Sequence, residues 1–242
     1  MPIETNLIHA NLAQIRERIA KAAARSGRRP EEIALIAVSK THPAEAIRAA
    51  YELGVRHFGE NRVQEFDSKR VALADLDATW HLIGHLQSNK ARRAAQIFNA
   101  IDSVDSLALA QKLDSCAAES AAATPAKLPI LIEVQLAPEE SKAGVAEAEL
   151  PALIGPLLHL SHLDLRGLMA IPPLLENPED VRPYFRKLCE QRNEMRKRFS
   201  ARGPEFLAQL SMGMSHDFEV AIEEGSTQVR IGTALFGSRA IK

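Results

Sequence analysis

The chain has 242 residues, 46% of them hydrophobic and 25% charged, long enough for one barrel-sized domain and too apolar for a disordered one. Its formal net charge of -1 leaves no global attraction to nucleic acid or anionic lipid. Its two cysteines, Cys116 and Cys189, are far apart and lack CxxC or zinc-type spacing, so neither a disulfide framework nor a metal site is signalled.

The first element is a helix, because Ile8, Leu12, Ile15 and Ile19 form one apolar stripe, with Arg16, Glu17, Arg18 and Lys21 off it. Gly27 and Pro30 end it. Strand-like runs then recur at about 33–39, 55–59, 80–84, 98–104, 129–136, 164–171, 207–212 and 229–232, with helix-like stretches between them. Pro43 suits the first position of the helix after the first strand, and Gly54 and Gly225 suit helix stops. Ser106 and Asn177 read as N-caps, and Pro178 as a first helical residue. Ala117 to Lys127 reads as a helix end and surface loop. Leu150, Leu153, Ile154 and Leu157 mark one apolar helix face; Val181, Phe185, Leu188, Arg192, Met195 and Phe199 mark another, broken once by a charge. The alternation predicts a parallel α/β fold: a single (β/α)8 TIM-type barrel over 1–242 with an extra N-terminal helix. A doubly wound open sheet is the alternative, disfavoured by the lack of a glycine-rich fingerprint after the first strand.

In such a barrel the active face lies at the C-terminal ends of the strands. The first strand, Ile33 to Ser39, delivers Lys40 there. A lysine partly withdrawn from water at that mouth is suited to Schiff-base chemistry, or alternatively snorkels out to solvent. The seventh strand ends in Ser211-Met212-Gly213-Met214-Ser215-His216-Asp217, and the eighth in Arg230-Ile231-Gly232-Thr233. Glycines that admit a phosphate, hydroxyl donors and helix starts make these two loops a candidate phosphate site, of the kind barrels build after strands seven and eight. Turn glycines with Ser215 as an N-cap are the plainer reading. A phosphorylated aldehyde held by a lysine is pyridoxal phosphate chemistry. Arg230 shares strand parity with Gly232 and can face the same side, beside the pyridine nitrogen or in an ordinary ion pair. Asn61 can bond the cofactor's phenolic oxygen or cap the next helix.

Other groups carry weaker signals. Ser215-His216-Asp217 resembles a triad in letters only, since consecutive residues do not build that geometry. His81 and His85 are ligand or acid–base candidates, and strand three exposes one of them to the mouth. His159 and His162 flank a helix end. Asp102 and Asp105 line the mouth or cap the helix near Ser106. Gln87 to Arg93 offers a second anion or cofactor site.

Several stretches together resemble the YggS/PROSC family of pyridoxal phosphate homeostasis proteins. They are Ala37-Val38-Ser39-Lys40-Thr41, Phe58-Gly59-Glu60-Asn61, Trp80 to Lys90, Arg166-Gly167-Leu168-Met169-Ala170-Ile171, Ser211 to Ser215, and Gly225 to Thr233, in the family's order. The resemblance implies a fold type III barrel similar to the alanine racemase N-terminal domain, with pyridoxal 5′-phosphate linked to Lys40 as a Schiff base. It implies a cofactor-binding set of Lys40, Asn61, Met214, Ser215, Arg230, Gly232 and Thr233. It also implies a role in cofactor homeostasis without an established reaction.

A non-catalytic carrier that hands the cofactor to apo-enzymes is therefore the first expectation. An amino-acid racemase is the alternative. Racemases of this fold draw an opposing base, usually a tyrosine, from a second domain; the chain ends about ten residues past its eighth strand, and Tyr51 and Tyr184 fall in helices. A cofactor-free Schiff-base aldolase is the third reading. The N-terminus lacks signal-peptide regions and no apolar run spans a bilayer, so a cytoplasmic protein is expected. The helical exterior shows no clear interface stripe, which leaves the oligomeric state open, with a monomer as the expectation.

Overall fold

A computed structural model describes residues 3–120, 127–137 and 144–237. Its strands are β1 (Ala34–Val38), β2 (His57–Glu60), β3 (Thr79–Leu82), β4 (Ala100–Val104), β5 (Leu128–Gln135), β6 (Val145–Ala146), β7 (Leu163–Met169), β8 (Gln209–Met214) and β9 (Gln228–Ile231). Pairing is parallel throughout, in the order β4-β3-β2-β1-β9-β8-β7-β5, and β4 pairs with β5 to close the ring. The open-sheet alternative is thereby removed. All eight strands expected from the sequence are present; the two-residue β6, which extends the sheet beside the end of β5, is an addition.

The helices are α1 (Ile3–Arg25), α2 (Ala44–Glu52), α3 (Val63–Lys69), α4 (Ala91–Ile97), α5 (Leu107–Ser120), α6 (Leu150–Leu157), α7 (Arg182–Arg198), α8 (Phe218–Glu223) and α9 (Thr233–Phe236). The Ile8, Leu12, Ile15 and Ile19 stripe of α1 is buried. This extra helix lies across α8 and α9, tied there by Asn11 Nδ2 donating to Leu235 O at 2.9 Å and by the Arg18–Glu219 and Arg25–Glu223 ion pairs. The apolar faces expected for α6 and α7 are likewise buried, apart from the half-buried Phe199 just past α7, with Arg192 half-exposed beside Ala208.

Strand alternation sorts residues into two shells. Phe58, Trp80, Ile101, Ile132, Leu168 and Ile231 point outward into one apolar core under the helices. Phe66 of α3 packs its ring between Trp80 and Phe98, with centroids 4.6 and 4.9 Å away. The bore instead carries His57, His81, Asp102, Ser211, Gln228 and Arg230.

Some local expectations shift. Pro43 is the N-cap of α2, not its first residue, because its ψ of 164° is extended. Ser215 is not an N-cap; Asp217 holds that place for α8. Asn61 caps nothing, since Arg62 precedes α3. Ser106 does cap α5, accepting the Leu109 N–H, and Asn177 accepts the Glu179 N–H at the head of a 3-10 turn that opens on Pro178. Gly54 and Gly225 stop α2 and α8 with positive φ. The small-residue loop after Ala117 falls partly at 121–126, outside the described residues.

Candidate functional site

The C-terminal ends of the strands open into a cavity of about 690 Å³. Lys40, Asn61, Met214, Ser215, Arg230, Gly232 and Thr233 all line it. They reach it from four places: the turns after β1 and β2, the end of β8, and the end of β9 with the turn that follows.

Each position has a local cause. Val38 and Lys40 share strand parity and both face the cavity. Asn61 sits where it does because Gly84 lacks a side chain: a Cβ there would lie 2.4 Å from Asn61 O. Gly213, with φ +92°, makes the irregularity in the β8–β9 register that turns Met214 and Ser215 into the cavity. The Ala234 N–H donates to Ser215 Oγ at 3.2 Å, tying the two candidate phosphate loops together. The Met214 N–H donates to the buried Asp217 carboxylate at 2.6 Å, and His216 Nε2 lies 3.0 Å from Glu176 O. Ser215, His216 and Asp217 thus have three separate partners and form no triad.

Arg230 is buried. It donates to Ser211 O at 2.7 Å, Ser211 Oγ at 2.8 Å and Ala170 O at 2.8 Å. Among the described residues it makes no direct ion pair, so the ordinary-salt-bridge reading is set aside. Burial pushes its pKa down, against the longer-range pull of Asp102, Glu133 and Asp217.

Glu133, Gln135 and His42 also line the cavity, and the sequence reading missed them. It collected residues that follow each strand, whereas β5 contributes from within its own last turns of pleat. A signal was present: Glu133 interrupts an otherwise apolar run. Glu133 is buried, its Oε2 has no hydrogen-bond partner, and burial pushes its pKa up. His42 stacks on Phe236 with centroids 4.7 Å apart.

The remaining candidates divide. His85 reaches the cavity mouth, exposed and 3.1 Å from Asp105. His81 lies in the bore between His57 and Asp102, each 3.1 Å away. His162 pairs with Asp114, away from the cavity. Arg92 and Arg93 are engaged with Glu119 and Asp67, and the Gln87 to Arg93 segment does not line the cavity. No group among the described residues could hold a metal ion, and no helix there is long and apolar enough to cross a membrane.

Comparison with known proteins places this geometry. Residues 10–240 match the family model described as alanine racemase, N-terminal domain. The chain is 48% identical over 94% of its length to the pyridoxal phosphate homeostasis protein of Aquifex aeolicus, 96% of which is covered. It is 45% identical to the protein of the same name in Escherichia coli K12, over 97% of each. Its fold is similar to that of PipY from Synechococcus elongatus, solved with PLP bound: TM-score 0.81, 43% identity, covering 95% of this chain and 100% of that one.

Proposed function

Because the chain belongs to the alanine racemase N-terminal-domain family and, within it, to the pyridoxal phosphate homeostasis proteins, we propose that it holds pyridoxal 5′-phosphate in the barrel cavity and releases it reversibly. The observation that carries this reading is the convergence of Lys40, Asn61, Met214, Ser215, Arg230, Gly232 and Thr233 on one cavity.

The donor set suits that group. Ser215 and Thr233, with the backbone at Gly232, would hold the phosphate; Lys40 would hold the aldehyde; Asn61 would meet the ring hydroxyl; Met214 would pack at the edge. When bound, the group supplies an aldehyde that a primary amine captures reversibly, and a ring that withdraws electrons when its nitrogen is protonated. We assign Arg230 to that nitrogen. A guanidinium fixed by Ser211 and Ala170 donates and does not accept, so it disfavours a proton on the nitrogen it faces. That favours storage over carbanion chemistry.

The carrier reading has further support. Tyr51 and Tyr184 lie in α2 and α7 and neither lines the cavity, so neither serves as the opposing base of a two-base racemase. The expected partners are the cofactor and apo-enzymes that use it. The protein would act in the cytoplasm as one barrel unit and as a monomer.

The test is transfer against turnover. Loaded protein mixed with an apo pyridoxal phosphate enzyme should restore that enzyme's activity. The same protein incubated with amino acids in deuterated water should leave their α-protons in place. Rapid α-deuteration without transfer would reverse the reading in favour of the racemase.

A further inference from the structure

Behind the barrel wall, on the side away from the cavity, lies a polar cluster that the binding scheme does not use. Alternation puts Val38 and Lys40 toward the cavity, and Ala37 and Ser39 toward the helices. Glu60 at the end of β2 also points outward and is fully buried. Its Oε1 accepts from the Ser39 hydroxyl at 2.7 Å and lies 2.8 Å from Lys69 Nζ. Lys69, the last residue of α3, has a side chain only 11% exposed.

The Lys69 ammonium does more than neutralise Glu60. It donates to Ser39 O at 2.9 Å and to His42 O at 3.2 Å. These two carbonyls bracket Lys40 and Thr41. One helical turn earlier on the same face of α3, the Glu65 carboxylate accepts the Thr41 N–H and lies 3.3 Å from Lys69 Nζ. One face of one short helix therefore holds both ends and the middle of the turn that carries the cavity lysine.

That turn needs holding. Thr41 has φ +66°, a left-handed conformation that a β-branched residue enters only at a cost. Such a conformation persists where its surroundings over-determine it. Fixing α3 to the barrel would need only the apolar contacts of Val63 and Phe66, both buried. A buried ammonium is a costly alternative unless its donors are all used, and here its three protons have Ser39 O, His42 O and Glu60 Oε1 to go to.

We propose that Lys69, with Glu65, is a positioning residue for Lys40. It locks the 39–42 turn from behind the wall, so the amine is held in place before a ligand arrives and affinity depends on groups outside the cavity. This rests on the reading of Lys40 as the capturing amine.

The test compares Glu60→Gln, which keeps the Lys69 donors on both carbonyls, with Lys69→Met/Glu60→Gln, which removes the clamp without leaving a buried charge. Glu65→Ala, a change at a more exposed position, removes the Thr41 acceptor and one carboxylate beside Lys69 while leaving the Lys69 bonds to Ser39 O and His42 O, and serves if the double variant does not fold. Three readouts are taken: amide exchange at Thr41 in cofactor-free protein, pyridoxal phosphate affinity, and circular dichroism. Glu60→Gln should keep slow Thr41 exchange and near-wild-type affinity. The double variant should stay folded, exchange Thr41 fast and bind about tenfold more weakly, as when the competent conformer falls to about a tenth of the population. Glu65→Ala should move exchange and affinity in the same direction by less. Unchanged Thr41 exchange and affinity in the clamp variants would overturn the proposal, as would equal losses in Glu60→Gln. Wild-type protein that captures no cofactor would sink the cofactor reading instead, while the exchange data would still decide the clamp.

Discussion

The two faces of the barrel wall follow different rules. Outward, Phe58, Trp80 and Phe66 stack in an apolar shell, interrupted at the end of β2 by the Ser39–Glu60–Lys69 cluster. Inward, the bore holds a guanidinium, an imidazole pair and carboxylates, each burial offset by hydrogen bonds or left partly uncompensated, as at Glu133 Oε2. The outer shell is built for stability. The bore concentrates polar groups on one another, and the cavity holds the groups proposed to bind the cofactor.

The largest effects should separate the two faces. Phe185→Ala deletes a fully buried ring of α7, remote from the 39–42 turn, and should cost about 3–5 kcal/mol in urea unfolding, with cofactor affinity little changed. Arg230→Met should do the reverse. It orphans carbonyl contacts but also removes a buried charge, and Ser211 O keeps the Ala170 N–H as a partner. Its stability cost should stay near or below about 1–2 kcal/mol, while the titrated affinity falls. Equal destabilisation by both changes would break the division.

Acid–base behaviour sharpens it further. Burial raises the Glu133 pKa, so between its ordinary and raised values the folded chain holds more protons than the unfolded chain. Its contribution to stability therefore falls as pH rises through that window. Glu133→Gln should remove this loss and raise the unfolding midpoint at neutral pH relative to acid. A flat difference between variant and wild type across pH would show that burial does not raise the Glu133 pKa in the fold.

The exterior should show the opposite slope and the smallest effect. Arg93 holds Asp67, and Arg48 holds Asp75, down to about 2. The unfolded chain takes up those protons first as pH falls through about 4, so the stability from these pairs is present above that and lost as pH drops toward about 2. Asp75→Asn should lower the neutral midpoint slightly and leave stability near pH 2 in place, which flattens the acid limb of the curve. An unchanged acid limb would remove Asp75 from the account.

Much of this was legible in the sequence, for a physical reason. A strand buried on both faces is a short apolar run, and its C-terminal end in a barrel faces the active side, so position brings Lys40, Arg230 and the glycine loops to one cavity, while their plainer readings stay open on position alone. Two things were not legible. The bore residues His57 and Gln228 sit near strand starts, where no rule marks them as internal, and the closed register alone brings His57 to His81. The proposed clamp has no sequence signature: Glu60 stands in the Phe58-Gly59-Glu60-Asn61 stretch without a role, and nothing in the pattern singles out Glu65 or Lys69. Only the fold shows that they converge on the turn at Thr41. The plainer alternative for Ser215, a helix cap, falls because Asp217 holds that place, and the serine hydroxyl accepts the Ala234 N–H in the cavity loop.

The central claim is that Lys40 is the amine that holds the cofactor. Its most direct test is to load the protein with pyridoxal phosphate, reduce with borohydride and map the adduct by peptide mass, in wild type and Lys40→Ala. The account predicts one reduced adduct, on the peptide containing Lys40, and none in the variant. An adduct spread over surface lysines, or formed at full yield in Lys40→Ala, would contradict it.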